Sequence, residues 1–444
     1  MATRLIKTQG TATSTKKFTF SSWVKKVSNT TDHDQVIYGS YNDGNNRITL
    51  YFTSNSLALY TAVSGSTIAS FTTNRKFRDV SAWYHIVLAV DTTESTSSDR
   101  VKLYINGAQE TSFSASSYPS QDAVLPTGTS SYQHALGYYS GGGSSAFLGY
   151  LSHPAYVDGT ALTPTSFGTA NSTTGQWQFK TPGGITWGNN GFHLKFENSG
   201  NIGLDSSGQG NNFTTSTGTP LQSIDTPTNV YAIWNYSWSA SNGNVGDVAF
   251  SNGGLTTTTS ANYRTTPATL GIKTGKYYWE IKRIEDDGAD LHAGVMSENA
   301  TPANTATWIG NAANGWVISG DAGQPYNGGT GGSAISNAAF PNANDIHMCA
   351  YDGSTGKLYF GANGTWGGTA NPSTGANPHY TLDTSLVYFP CVSTGSDCSA
   401  NFGNGFFGTT AVSSAGSNGN GSIFEYDVPS GFYALNTKNI NTYG

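Results

Sequence analysis

Residues 83–107 read WYHIVLAVDTTESTSSDRVKLYING. The run from Trp83 to Val90 is short, continuous and mostly apolar, the signature of a strand covered on both faces. A polar loop without periodicity follows. Val101, Leu103 and Ile105 then alternate with Lys102, Tyr104 and Asn106, which describes a strand with one buried face. Asn106-Gly107 closes it with the pair that best tolerates the φ > 0 conformation of a tight hairpin turn. Upstream, FTFSSWVK (18–25) reads as a further strand. Apolar residues at helical spacing over three turns are missing from residues 1–170, so this region is expected to be all-β.

The same logic recurs toward the C-terminus. In GKYYWEIKRI (275–284), Tyr277, Trp279 and Ile281 fall on one face and Tyr278, Glu280 and Lys282 on the other. Ile346–Tyr351 and Lys357–Phe360 flank DGSTG and read as a hairpin. The expected organisation is a first sandwich over 1–170, a turn-rich bridge over 171–245 and a second sandwich over 246–444. Within the bridge, FHLKF (192–196) either completes the first sandwich or adds an edge strand to it. Residues 1–17 read equally as a docking strand or as a first edge strand. No fixed-period repeat argues for a solenoid or propeller.

Composition agrees and excludes several function classes. Gly is 55 of 444 residues, and charged residues are only 11% against roughly 25% in ordinary soluble chains. Aromatic residues reach 13%, which argues against disorder and for short aromatic strands joined by Gly, Ser, Thr and Asn turns. The net charge is −6, with Lys and Arg scattered, so nothing offers a nucleic acid a basic stripe. No apolar run approaches the roughly 20 residues of a membrane span, so no membrane insertion is expected. The opening MATRLIKTQG lacks the apolar stretch of a signal peptide. Cys349, Cys391 and Cys398 are an odd set, expected as buried free thiols, with a Cys391–Cys398 bridge as the alternative.

Signals for catalysis are missing. The chain has no G-x-S-x-G elbow, no phosphate loop and no H-E-x-x-H. Retaining glycoside hydrolysis needs two carboxylates roughly 5–5.5 Å apart. None of the seven Glu has an acidic residue two positions away on a strand-like run. A glycoside hydrolase is therefore disfavoured, and the chain is expected not to be an enzyme.

The segments FTFSSWVK, WYHIVLAVDTTES, VKLYINGAQE and GYLSHPAYVDGTALTPTSFG (149–168) resemble the laminin-G-like, concanavalin-A-like jelly rolls. LDSSGQGNN (204–212) is similar to a turn of that superfamily. GKYYWEI, AYDGSTGKLYFGANGTW (350–366), NFGNGFF (401–407) and PSGFYALN (429–436) resemble SPRY domains. The pairing, in this order, is similar to proteins encoded by tailed phages, particularly those of marine bacteria. The resemblance implies two antiparallel β-sandwiches in a virion-associated protein: a tail fibre, spike or appendage assembled in the host cytoplasm and exposed on the particle. It further implies other virion proteins as partners, host cell-surface glycans or a receptor as ligands, and a homo-oligomer, with a trimer among the options. The alternative is a capsid or tail decoration protein with a purely architectural role.

A sugar ring stacks its apolar face on Trp or Tyr. Aromatics beside turns are the candidates for that contact: Tyr41, Tyr138, Tyr139, Tyr326 and Trp366. Trp23, Trp83 and Trp279 lie inside strand motifs and are expected to fill cores. Laminin-G-like sandwiches often hold calcium at the rim. That resemblance makes Asp32, Asp34, Asp43 and Asp205 candidate metal ligands, although Asp and Asn also simply build turns. No cofactor is required by either reading.

Overall fold

The computed structural model describes residues 3–29, 34–137, 146–241, 248–259, 264–285, 290–301 and 308–444. The chain divides into two compact units, Met1–Thr228 and Asn229–Gly444. Residues 171–228 of the bridge thus lie in the first unit and 229–245 in the second. Both units are built from mainly antiparallel sheets; the exception among the named strands is the parallel pairing of Lys276–Arg283 with Tyr433–Ala434. The helices among the described residues are short: Tyr236–Ser241, Thr437–Tyr443 and a few single 3-10 turns.

In the first unit an eight-stranded sheet runs in the order Phe113–Ser117, Ser66–Thr73, Ser56–Val63, Asn46–Thr53, Gln35–Asp43, Gln133–Leu136, Arg4–Thr8, Thr214–Thr217. A six-stranded sheet runs Phe192–His193, Gly149–Asp158, Lys17–Lys26, Trp83–Asp91, Val101–Ile105, Ala108–Glu110. The strand Arg4–Thr8 pairs on both sides, so it is an interior strand of the sheet, not the edge or docking strand expected, whereas Phe192–His193 is an edge strand. The hairpin read first is present: Asn106 and Gly107 take φ 50° and 81°.

Side-chain alternation builds the core. From strand Lys17–Lys26, Phe18, Phe20 and Val24 point inward to meet Ile86, Leu88 and Val90 of its neighbour and Tyr38, Leu50 and Phe52 of the facing sheet. Phe20 stacks on Tyr38 with ring centroids 4.2 Å apart. The opposite side of the six-stranded sheet is also covered. There Val87, Ala155 and Val157 pack against Phe167, Leu162, Ile185 and Trp187. That second cover explains why residues 83–90 are mostly apolar on both faces.

The second unit has a nine-stranded sheet centred on Lys276–Arg283, flanked by Cys398–Asn401 and Ile346–Asp352. A six-stranded sheet carries Arg264–Pro267, Tyr388–Thr394, Leu291–Ser297, Gly315–Ser319, Pro325–Asn327 and Thr330–Gly331. The DGSTG hairpin pairs Ile346–Asp352 with Lys357–Ala362 as read. The three cysteines are buried and free, not bridged. Burial pushes the Cys349 thiol well up, away from the reactive range.

One buried carboxylate pins this unit together. Glu280 is fully buried and accepts from the Tyr278 hydroxyl and the Tyr426 amide at 2.9 and 2.8 Å on one oxygen. Its other oxygen accepts from the Glu425 amide at 2.9 Å and the Asn401 side-chain amide at 3.2 Å. Burial nonetheless pushes its carboxyl up to about 7. Glu280→Gln turns one acceptor end into a donor facing donors. It is expected to cost about 2 kcal/mol of unfolding free energy, read by chemical denaturation of the chain.

A candidate binding depression on the jelly roll

The outward residues of strand Lys17–Lys26 form a buried row that supports the site from beneath. Thr19, Ser21, Trp23 and Lys25 alternate with the inward Phe18, Phe20 and Val24. On the adjacent strand His85 lies opposite Trp23 and Trp83 opposite Lys25. This polar and aromatic row is sealed by chain beyond residue 160. The Thr19 hydroxyl donates to the Thr160 carbonyl at 2.7 Å. Asp225 accepts from Lys25 Nζ at 2.7 Å and from Trp83 Nε1 at 2.9 Å, with both partners of the ion pair buried.

Trp177 arrives from the small hairpin of Gly168–Ala170 and Trp177–Phe179. Its Nε1 donates to His85 Nδ1 at 2.9 Å. Nδ1 is then the acceptor of the neutral ring, so Nε2–H donates to Ser21 Oγ at 2.9 Å. Burial holds His85 neutral, its pKa pushed down to about 3. Trp23 stacks against the same imidazole at 4.8 Å. The seat of Trp177 also depends on missing side chains: a Cβ on Gly107 would lie 2.5 Å from the indole, and one on Gly168 equally close. Asn106 is fixed by accepting from the His85 amide at 2.8 Å.

These residues edge an open depression of about 490 Å³, lined by Trp83, Trp177, Asn106, Gln176 and the backbone of Gly107 and Gly175. It offers an indole held in place, carboxamides beside it, and glycines that let a ligand approach the backbone. That combination suits a flat, hydroxylated molecule better than an apolar one.

The sequence candidates fall elsewhere. Tyr41 is 7% exposed, with Val36 and Ala135 around its ring. Its hydroxyl accepts from Arg4 and donates to Gln133. Tyr326 is half-buried, edge-on to Trp308 at 4.7 Å, and its hydroxyl donates to Gln324 at 2.8 Å. Trp366 is half-buried against Tyr278 at 6.2 Å, on a different sheet from Tyr326. Tyr138, Tyr139 and Asp32 lie outside the described residues. Trp23, Trp83 and Trp279 are buried, as the strand motifs implied, although Trp83 also borders the depression.

Asp43 and Asp205 build turns. Asp34 and Asp43 stand at opposite ends of strand Gln35–Asp43, roughly 30 Å apart at the usual rise per residue, so one ion cannot bridge them. Asp43 accepts from the Asn45 amide at 2.8 Å, which lowers its pKa. Asp205 accepts from the His193, Ser207 and Asn211 amides and the Ser207 hydroxyl, which occupies both oxygens. Among the described residues no three His, Cys, Asp or Glu side chains gather as a metal site. Sequence reasoning passed over Gln176-Trp177 because GQWQF sits in a Gly- and Thr-rich stretch with no strand periodicity. The signal present was an aromatic flanked by carboxamides.

Residues 3–166 match the family described as the concanavalin A-like lectin/glucanases superfamily, Laminin_G_3. No curated protein matches the chain in sequence. Among solved structures, the chain is similar to the SPRY domain of human HERC1, with 18% identity over 34% of this chain and 91% of that one, at a TM-score of 0.28. It is also similar to domain 4 of AbnA, a GH43 extracellular arabinanase from Geobacillus stearothermophilus, in complex with arabinotriose. That match has 22% identity over 34% of this chain and 65% of that one, at a TM-score of 0.26. The N-terminal region is a concanavalin-A-like jelly roll in a nearly all-β chain of mainly antiparallel sheets, a fold compatible with glycan binding.

Proposed function

We propose that the chain is a non-enzymatic virion protein of a tailed phage, displayed as a tail fibre, spike or appendage, and that it binds glycans of the host surface. The observation that carries the binding reading is the depression edged by Trp83 and by a Trp177 ring held by His85, on a jelly roll of the lectin type. Stacking on the indole and hydrogen bonds to Asn106 and Gln176 need no cofactor. Repetition of the chain on one particle multiplies weak contacts into firm attachment. The virion reading is supported by the order of the two sandwich resemblances and by the charge-poor, Gly-rich composition. The non-enzymatic reading is supported by the sequence, in which none of the seven Glu has an acidic residue two positions away on a strand-like run.

Adsorption of purified chain to host cells tests this. Wild type is expected to adsorb and to delay infection. Trp177→Ala, with its fold checked by circular dichroism, is expected to lose at least about tenfold in apparent affinity. Saturable binding to particles, with no adsorption to cells, would instead support the decoration role. Release of reducing sugar from host envelopes would overturn the non-enzymatic reading.

A further inference from the structure

We propose that His153 and His193 form a binding site for a borderline divalent metal ion such as Zn²⁺. The two rings face each other, His153 Nδ1 lying 3.1 Å from His193 Nε2. They come from neighbouring strands, with Ala155 opposite His193.

The backbone is distorted to bring them together. Strand Gly149–Asp158 pairs Ser152 with Trp23 and Ala155 with Ser21, so it carries one extra residue at this point. His153 occupies that bulge at φ +51°, a conformation that a non-glycine residue seldom adopts. Bulges of this kind re-aim a side chain, and strain of this kind collects at functional positions. Here the side chain re-aimed is an imidazole, and its target is another imidazole.

Both rings are held by aromatic neighbours. Phe179 stacks on His153 at 3.9 Å and 21°, and Trp187 lies parallel to His193 at 5.8 Å and 11°. Burial pushes both pKa values down to about 4, so both rings are neutral at pH 7. In the metal-free pair one facing nitrogen carries a hydrogen that the other accepts. A metal replaces that hydrogen bond. The proton moves through solvent to the outer nitrogen of the same ring, leaving two lone pairs toward the ion and no net change in charge on the protein.

The separation fits. Two Zn–N bonds of about 2.05 Å spanning 3.1 Å subtend roughly 100°, between octahedral and tetrahedral angles. Imidazole nitrogen suits Zn²⁺, Cu²⁺ and Ni²⁺, not the hard cations. Lys195 and Glu197 act on His153 with opposite signs, and Lys195 and Asp205 do so on His193. Among the described residues the protein supplies these two imidazoles alone, and solvent fills the remaining positions of the shell.

Calorimetric titration of tag-free, chelator-treated chain with ZnCl₂ tests the proposal. Binding of one ion per chain in the micromolar range is expected, with a rise in melting temperature on loading. Cu²⁺ loaded in its place should show imidazole nitrogen couplings by electron paramagnetic resonance. His153→Asn keeps a residue that tolerates the left-handed region, so the metal-free fold is expected to keep its melting temperature. It and His193→Ala should each weaken binding by about tenfold or more. No uptake by wild type, or uptake that both substitutions leave unchanged, would overturn the site.

Discussion

Lowering the pH from 7.5 to 5 is expected to strip the first unit of most of its stability. Burial is the first cause in every case: His85 and His134 are pushed down to about 3, and His153 and His193 to about 4. In the unfolded chain each titrates near 6.5. The folded state therefore binds fewer protons than the unfolded state below that value, and stability falls as pH falls. The contribution is complete above about pH 6.5 and is lost progressively toward the folded values. Each fully buried histidine costs about 1.4 kcal/mol per pH unit in that window, or about 2 kcal/mol at pH 5. His85, His134 and His193 together approach about 6 kcal/mol, within the range of a whole domain's stability. The local geometry agrees: protonating His85 would turn its Nδ1 into a donor against the Trp177 indole N–H. In the second unit Glu280 has the opposite sign. Its carboxyl is pushed up to about 7, so protonation there favours the folded state between about 7 and 4.5 and offsets part of the burden of His347. Thermal melts across pH, followed by near-ultraviolet circular dichroism, should show the first unit melting earlier in acid. A melting temperature unchanged between pH 7.5 and 5 would refute this.

Asp225→Ala should be among the most damaging single substitutions in the chain. It leaves the Lys25 ammonium, with 0% of its side chain exposed, without the carboxylate 2.7 Å away, and it removes the acceptor of the Trp83 indole. Breaking a buried pair in this way costs about 3–5 kcal/mol. The sequence distance makes the effect architectural. Lys25 and Asp225 are 200 residues apart, and their contact fastens the far end of the first unit over the outer row of its central strand. Replacing both residues together by Met and Leu should recover much of the loss, because the desolvation of two charges is removed along with their attraction. A double-mutant cycle by urea denaturation measures this. A loss below about 1 kcal/mol for Asp225→Ala would show that the pair is not a fastening.

The strands were readable because their signals are local. Val101–Ile105 shows the buried–wet alternation its letters promise, and Asn106-Gly107 and Asn363-Gly364 both turn at positive φ. Trp279 fills a core because β-strand geometry gives an aromatic in that motif nowhere else to go. The outer row of the six-stranded sheet was not readable. Thr19, Ser21 and Lys25 look like a solvated face, and only chain arriving from 160 to 225 turns that face into an interior. Trp177 was missed for the same reason, since its position is set by His85, Gly107 and Gly168 and not by its own neighbours. The YNDGNN turn makes Tyr41 look like a loop aromatic, but strand Gln35–Asp43 runs through it and into that turn. Asp205 attracts the same misreading in reverse: an acidic, Asn-rich loop looks like a cation site until its oxygens are counted against the amides they accept.

The binding claim rests on the Trp177 indole meeting a sugar. Titrating the chain with host-surface oligosaccharide while observing the indole N–H resonances by NMR tests it most directly. The account predicts that the Trp177 and Trp83 signals shift together and saturably, and that Trp177→Ala abolishes the response. Saturable sugar binding that leaves both signals unmoved would contradict it.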